Sequence, residues 1–185
     1  MTTHRILIVD DEPAVLAALQ RSLRQRYGRG LQVETQVDAG LALKRVGVED
    51  FEVVISDLRM PAMDGVSFLR GVAQVRPHSV RMMLTGSADF ETSQRAINEA
   101  GVFRYLCKPW RDDELATHID SALAHSAALR EQSAHARAWQ DQLRTLTPQE
   151  VERRRLEEME PGITRVEWGP NGEVLMPPLT PNRNR

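Results

Sequence analysis

The sequence predicts an α/β protein in which a five-stranded parallel sheet carries helices on both faces. Strand-like apolar runs alternate with helical patterns five times within about 125 residues, and this order is typical of doubly wound sheets. The strands read as continuous apolar runs, as expected when both faces of a sheet are buried. The 185-residue chain is 41% hydrophobic and 27% charged, a balance typical of a globular protein with a packed core.

The first strand and helix show the pattern most clearly. The segment Arg-Ile-Leu-Ile-Val from Arg5 to Val9 is typical of a buried parallel strand. Pro13 suits the first turn of a helix, because the N–H that proline lacks would have no hydrogen-bond partner within the helix there. Leucines then recur at helical spacing until two glycines end the pattern: Leu16, Leu19, Leu23, Gly28 and Gly30.

The same alternation continues along the chain. Strands are predicted at residues 31–36, 52–56, 80–84 and 102–106, and helices at 39–46, 66–75, 90–99 and from 112 onward. Right-handed crossovers leave few ways to connect such units. The strand order 2-1-3-4-5, the flavodoxin-like arrangement, is the one we expect.

The residues after 125 are predicted to form an appendage to an α/β domain that spans residues 1–125. Residues 126–146 lack glycine and proline and continue the last helix, as an extended helix or coiled-coil linker. Residues 147–176 are predicted to form a small helix, capped by Thr147 and begun by Pro148, and a β-hairpin that turns at Asn171-Gly172. Residues 177–185 are expected to be a disordered end.

Polar side chains follow four of the predicted strands at their carboxyl ends. The first strand leads to Asp10 and Asp11, and the later ones to Asp57, Thr85 and Lys108. Ligands of open parallel sheets bind at this edge. A group of carboxylates repels itself unless a cation lies among them, and hard oxygen donors suit Mg²⁺ together with phosphate oxygens. The sequence therefore predicts a site for Mg²⁺ and a phosphoryl group.

Lys108 stands out because the chain contains only two lysines among its 24 basic residues, the other being Lys44. A lysine ammonium is a compact, mobile charge that can follow one phosphate oxygen. Thr85 adds a hydroxyl donor. An oxygen of Asp57 could attack phosphorus and form an aspartyl phosphate, which is the carboxylate form of covalent catalysis.

The combined motifs resemble the receiver domain of bacterial two-component response regulators over about residues 4–125. The resemblance rests on Asp10-Asp11-Glu12, Asp57 with Met60-Pro61 and Met63-Asp64-Gly65 after it, Thr85-Gly86 and Lys108-Pro109. It implies that Asp57 is the phosphoacceptor and that Lys108 and Thr85 contact the phosphoryl group. It also implies a cis bond between Lys108 and Pro109.

The resemblance further implies a Mg²⁺ site and a switch. Asp11 and Asp57 would bind Mg²⁺ through their side chains, Arg59 would bind it through its backbone carbonyl, and Asp10 would act through water. Tyr105 matches the switch aromatic of the family and would work together with Thr85.

The implied function is a phosphorylation-dependent switch. A sensor histidine kinase or phosphotransfer protein would phosphorylate Asp57. The surface formed by the predicted helix at 90–99, the strand at 102–106 and the helix from 112 onward would then signal to a partner. A phosphatase acting on external phosphoesters is the rival enzyme, but Arg59 occupies the place of its general acid and cannot deliver a proton. We therefore expect no enzyme activity on external substrates.

A second alternative is that the chain is the regulatory piece of a longer response regulator. The segment from Phe103 to Trp110 resembles receivers joined to transcription activators or cyclic-dinucleotide hydrolases. The residues after Leu146 are too few for such an output domain and contain no helix-turn-helix with basic residues. Met1 and the polar end favour a stand-alone receiver with its own tail.

Net charge, cysteine count and apolar segments limit the classes of partner and the cellular location that we expect. The net charge of -2 argues against nucleic acid binding. The single cysteine, Cys107, excludes an internal disulfide and is interpreted as a small core side chain. No export signal and no membrane span is apparent, so we expect a cytoplasmic protein.

The long helix raises further expectations. Its histidines, His118, His125 and His135, are interpreted as part of a solvated face. Its apolar side chains Leu129, Trp139, Leu143 and Leu146 would be exposed on an unsupported helix. We favour a parallel pairing with a second copy in a homodimer, and the alternative is that the tail folds back onto the chain's own domain.

Overall fold

The computed structural model describes residues 3–86, 100–145, 148–159, 167–168, 170 and 174–175. The helix predicted at 90–99 and the end predicted at 177–185 lie outside the described residues. The chain divides into two compact units, Met1–Ser133 and Ala134–Arg185.

The first unit contains the predicted sheet. Five strands lie in the order β2-β1-β3-β4-β5, and all neighbouring pairs are parallel. The strands are β1 (His4–Val9), β2 (Leu31–Gln36), β3 (Val53–Asp57), β4 (Val80–Gly86) and β5 (Arg104–Lys108). The helices in its described residues are α1 (Pro13–Tyr27), α2 (Ala39–Val48), α3 (Gly65–Val75) and the part of α4 (Asp112–Thr145) up to Ser133, with a short 3-10 helix at Gly28–Gly30. The predicted flavodoxin-like order is confirmed.

The second unit contains a short helix and a strand pair. Helix α5 (Pro148–Met159) begins at the proline that the sequence indicated. Strands β6 (Glu167–Trp168) and β7 (Val174–Leu175) pair antiparallel. The Asn171-Gly172 turn and Thr147 lie outside the described residues.

The two faces of the sheet bury separate apolar clusters because side chains alternate along each strand. On one face, Ile6 and Ile8 of β1 pack with α1 leucines and with Leu115 and Ile119 of α4. On the other face, Leu7 and Val9 pack with α2 and α3. These four β1 side chains are fully buried, and each contributes roughly 1.5 to 3 kcal/mol through burial.

Helix α4 stays packed on the first unit beyond residue 125. Ser126 is fully buried, and Leu129 packs against the first apolar cluster. The Ser133 hydroxyl lies 3.1 Å from Nδ1 of His78, and the Arg130 guanidinium lies 3.7 Å from Asp50. The helical residues up to 133 are therefore part of this unit. The domain boundary that the sequence analysis placed at residue 125 stays a prediction.

Strand β5 begins two residues later than the sequence indicated. The Arg81 guanidinium donates to the Ala100 carbonyl at 3.1 Å, and the Phe103 N–H donates to the Arg81 carbonyl at 2.8 Å. Gly101 lies in this turn with a φ of 62°, a left-handed conformation that glycine adopts without steric cost. This turn delays the strand, so that Lys108 is the last residue of β5 and does not lie beyond it.

Candidate functional site

The predicted polar residues meet where the parallel strands end. Asp10 follows β1, Asp57 ends β3 and Lys108 ends β5. In the register, Asp57 is paired with Leu84, and Gly86 is paired with Lys108. The sheet therefore brings these three side chains to one edge, as the sequence predicted.

The ammonium of Lys108 lies between two carboxylates. Its Nζ atom is 2.7 Å from Oδ2 of Asp10 and 2.6 Å from Oδ1 of Asp57. Asp10 is fully buried, and Asp57 is 7% exposed. Lys108 thus holds two buried carboxylates together that would repel each other without it.

Backbone donors hold the other oxygens of the two carboxylates. The Glu12 N–H donates to Oδ1 of Asp10 at 2.9 Å, and the Arg59 N–H donates to Oδ2 of Asp57 at 2.7 Å. Each carboxylate is consequently fixed at both of its oxygen atoms. The hydrogen bond from Arg59 also places its peptide beside Asp57.

Burial and pairing shift the pKa values of Asp10 and Lys108. Burial raises the pKa of the Asp10 carboxyl, although hydrogen bonds from Lys108 and Glu12 act against the rise. Burial also disfavours the charged form of Lys108, but the hydrogen bonds to Asp10 and Asp57 outweigh it and raise the pKa of the ammonium. Lys108 is therefore positively charged at neutral pH.

The donor chemistry of this edge fits a hard cation. Asp11 adds an exposed carboxylate directly after Asp10 in the chain, and the carboxylates of Asp10 and Asp57 both contact the Lys108 ammonium. Oxygen donors with excess negative charge suit Mg²⁺. Within the described part of the chain, no three histidine, cysteine, aspartate or glutamate groups are already gathered at the spacing of a metal shell.

A glycine allows the loop after β3 to pack against Asp57. A Cβ atom on Gly65 would lie 2.0 Å from the Asp57 carbonyl oxygen. The Gly65 N–H donates to the Leu58 carbonyl at 3.0 Å, and the Ser56 hydroxyl donates to the Asp57 carbonyl at 2.9 Å. Gly65 belongs to the quoted motif, but the sequence does not reveal this contact with Asp57.

The proposed switch residues lie on neighbouring strands. Thr85 is fully buried, and its hydroxyl donates to the Gly86 carbonyl at 3.0 Å. Tyr105 lies on β5 and is 44% exposed. Thr85 is paired with Cys107, two residues from Tyr105, so the side chains of Thr85 and Tyr105 are on the same face of the sheet.

One sequence-based interpretation is wrong at this side of the sheet. Cys107 is exposed and not part of the core, and it lies on β5, the last strand of the sheet. The ring of His125 stacks on Phe103, with centroids 4.5 Å apart and planes 9° from parallel. His125 is nevertheless exposed, as is His135, in agreement with the predicted solvated face, and the stack on Phe103 covers one side of the imidazole ring.

Comparison with known proteins agrees with this architecture. Residues 6–120 match the family model of the response regulator receiver domain. The hydrogenase transcriptional regulatory protein HoxA of Bradyrhizobium diazoefficiens is 37% identical over 118 residues, which are 64% of this chain and 24% of that protein.

Solved structures are similar over the same region. The signal receiver domain of an HD domain-containing protein from Pseudomonas fluorescens Pf-5 matches with a TM-score of 0.65 and 34% identity, over 71% of this chain and 94% of that one. A CheY-like receiver domain protein from Methanospirillum hungatei JF-1 matches with a TM-score of 0.63 and 31% identity, over 69% of this chain and 98% of that one.

The matches cover only part of the curated relatives. The chain spans about a quarter of the length of the curated relatives it matches.

Over the described residues, no helix is both long enough and apolar enough to cross a membrane. The Lys108-Pro109 bond is cis, as the resemblance implies. The family model, the strand order and the clustered Asp10, Asp57 and Lys108 agree, and the chain belongs to the response regulator receiver domain family.

Proposed function

We propose that this chain is a response regulator that accepts a phosphoryl group on Asp57 from a sensor histidine kinase or a phosphotransfer protein. One observation carries the proposal. The Lys108 ammonium contacts Asp57 at 2.6 Å and Asp10 at 2.7 Å at the edge of the sheet where ligands bind. The proposal includes the cytoplasmic location expected from the sequence.

The chemistry follows from these positions. A carboxylate oxygen of Asp57 attacks phosphorus, the new O–P bond forms, and the bond from phosphorus to the donor breaks. The donor leaves with the electron pair of that bond. Lys108 can move with the incoming oxygens because its ammonium is a point charge on a flexible stem, and the Thr85 hydroxyl offers a further donor.

Mg²⁺ fits this proposal as the ion that neutralises charge on the transferring group. Asp11 and Asp57 would hold it through their side chains, the Arg59 backbone carbonyl would be a third ligand, and Asp10 would act through water. Arg59 is always protonated and offers no proton to a leaving group. The chain is therefore proposed as a switch and not as a phosphatase for external substrates.

The downstream surface belongs to the same proposal. Phosphorylation would draw the Thr85 hydroxyl toward the phosphoryl group and let the exposed Tyr105 ring move inward. Helix α4 is exposed from Ala134 to Gln140, and Trp139 is 47% exposed there. A parallel homodimer through this segment is the output that we propose, and light scattering with and without beryllofluoride tests it: a monomer in both states at tens of micromolar would exclude it.

The alternative function is that of a regulatory part of a longer regulator. The relatives that match are transcriptional regulators about four times as long as the matched region. The intact mass of the protein purified from its native source distinguishes the two. A mass equal to that of this chain supports the stand-alone receiver, and a larger mass supports the alternative.

Acetyl phosphate with Mg²⁺ tests the proposed function itself. Wild-type protein should gain the mass of one phosphoryl group, since a small donor needs only the acceptor, the ion and Lys108. Asp57→Asn should gain none, and Asp120→Asn, a carboxylate on α4 outside the pocket, should behave as wild type. Equal labelling of Asp57→Asn and wild type would contradict the assignment.

A further inference from the structure

Glu12 occupies the N-cap position of α1 but does not cap it. Its φ and ψ are -94° and 104°, typical of an N-cap, and its side chain makes no cap hydrogen bond. Oε1 of Glu12 instead lies 3.9 Å from Nζ of Lys108. The carboxylate at this helix end is therefore directed to the phosphoryl-acceptor pocket.

Neighbouring bonds fix this placement. The Glu12 N–H donates to the buried Asp10 carboxylate at 2.9 Å, and Pro13 begins α1 directly after it. The Glu12 side chain is 66% exposed, whereas that of Asp10 is fully buried. Glu12 thus lies on the solvent side of the ammonium, and Asp10 and Asp57 lie on its buried sides.

We propose that Glu12 is a specificity-determining residue that disfavours phosphodonors in proportion to their negative charge. An anionic donor that reaches Lys108 from solvent must come within a few ångströms of the Glu12 carboxylate. The same carboxylate attracts the ammonium that the donor's oxygens need. Both effects lower the rate with free anionic donors, and a protein donor can offset them with basic groups on its own surface.

The inference rests on the proposed phosphorylation of Asp57, which allows two small donors to test it. Acetyl phosphate is a dianion near neutral pH and releases acetate, whereas phosphoramidate is a monoanion that already carries the proton its nitrogen needs and releases ammonia. In both, an Asp57 oxygen forms the new bond to phosphorus. The donors therefore share the acceptor chemistry and differ in charge.

The experiment measures second-order phosphorylation rates of wild type and Glu12→Gln across ionic strength, at Mg²⁺ concentrations that saturate each protein. Glu12→Gln should react about threefold faster than wild type with acetyl phosphate at low salt, because one unit charge near the donor is removed. The gain should be smaller with phosphoramidate. It should disappear near 1 M salt, where the screening length is about 3 Å.

Two matched variants separate charge from structure. Glu12→Asp keeps the charge and should retain the salt dependence of wild type. Glu158→Gln changes the net charge equally on the exposed surface of α5 and should leave the rates unchanged. Equal rates for Glu12→Gln and wild type, or a gain that is the same for both donors at every salt concentration, would overturn the role of Glu12 while leaving Asp57 as acceptor. A wild type that neither donor phosphorylates would overturn the proposed function as well.

Discussion

Lys108 is the counter-charge for two buried carboxylates. Asp10 and Asp57 are both less than a tenth exposed, and each lies within 2.7 Å of the ammonium. The raised pKa of the Asp10 carboxyl reflects its burial. This lysine therefore matters for stability as well as for the proposed phosphoryl transfer, because its loss leaves two buried charges without compensation.

We predict that Lys108→Met lowers the free energy of unfolding by about 2 kcal/mol, less than for a fully buried pair because the pocket is partly open. Adding Asp10→Asn should recover at least half of the loss, since an amide keeps the shape and removes one charge. Urea unfolding at pH 7 measures both changes. A double variant no more stable than Lys108→Met would show that charge repulsion is not the cause.

We predict that Gly65→Ala destabilises the protein by at least 2 kcal/mol, because the new Cβ would lie 2.0 Å from the Asp57 carbonyl oxygen. Gly47→Ala is the matched control. Nothing lies within 4 Å of a Cβ at Gly47 in helix α2, so alanine should stabilise there by about 0.5 to 1 kcal/mol. Thermal unfolding of both variants checks the contrast, and a Gly65→Ala protein as stable as wild type would contradict the close approach.

At the scale of elements, helices α1 and α4 are joined by a tyrosine at the end of α1. The Tyr27 hydroxyl lies 2.8 Å from Oδ1 of Asp120 and 3.1 Å from the Ala116 carbonyl. Burial, together with the hydrogen bond to Asp120, raises the pKa of this phenol. A raised pKa means that the stabilisation is complete below the unfolded-state value, about 10, and is lost as the pH rises through the folded-state value.

We predict that Tyr27→Phe costs about 1 kcal/mol of stability at pH 7, the typical value of one hydrogen bond. The difference from wild type should shrink above pH 10, because wild type alone then loses stability through ionisation of the unfolded tyrosine. Denaturant unfolding at pH 7, 9 and 10.5 measures the trend. A difference that grows with pH would contradict the assigned bond.

Most of the fold could be predicted from the sequence because each strand and helix carries its own periodicity. Strand β1 and helix α1 were predictable from apolar spacing and from Pro13. The start of β5 was not, because the delay comes from Arg81 on another strand, which binds the Ala100 carbonyl. The exposure of Cys107 was also not predicted, because the expected edge position of β5 does not tell which of its side chains stay exposed.

The candidate site was predictable to the extent that it follows from topology. The carboxyl ends of parallel strands meet, so Asp10, Asp57 and Lys108 could be placed together before any coordinates. Their pairing could not be predicted in detail, because the position of Nζ between two carboxylates depends on side-chain conformations. The orientation of Glu12 likewise depends on whether its carboxylate caps α1, which the sequence does not determine.

At the scale of the whole molecule, the receiver unit includes the part of α4 up to Ser133. The buried Ser126 and the packed Leu129 lie beyond the end predicted for the domain. Contacts from Arg130 to Asp50 and from Ser133 to His78 continue this packing. The first unit should therefore need these residues for full stability.

We predict that a chain stopped after Ser133 unfolds with nearly the stability of the first unit in wild type. A chain stopped after Ala124 should lose roughly 1.5 to 3 kcal/mol, the value of burying one large apolar side chain such as Leu129. Urea unfolding followed by circular dichroism compares the two. Equal stabilities would show that residues 125–133 are dispensable for the fold.

Site-resolved trapping of the acyl phosphate tests the central claim, that Asp57 is the acceptor, most directly. The protein is treated with acetyl phosphate and Mg²⁺ and reduced with borohydride, which converts an aspartyl phosphate to homoserine, and its peptides are sequenced by mass spectrometry. The account predicts homoserine at position 57 in wild type and a large loss of it in Lys108→Met. Homoserine at Asp10 or Asp11, or a phosphoryl group on another residue with position 57 unmodified, would contradict it.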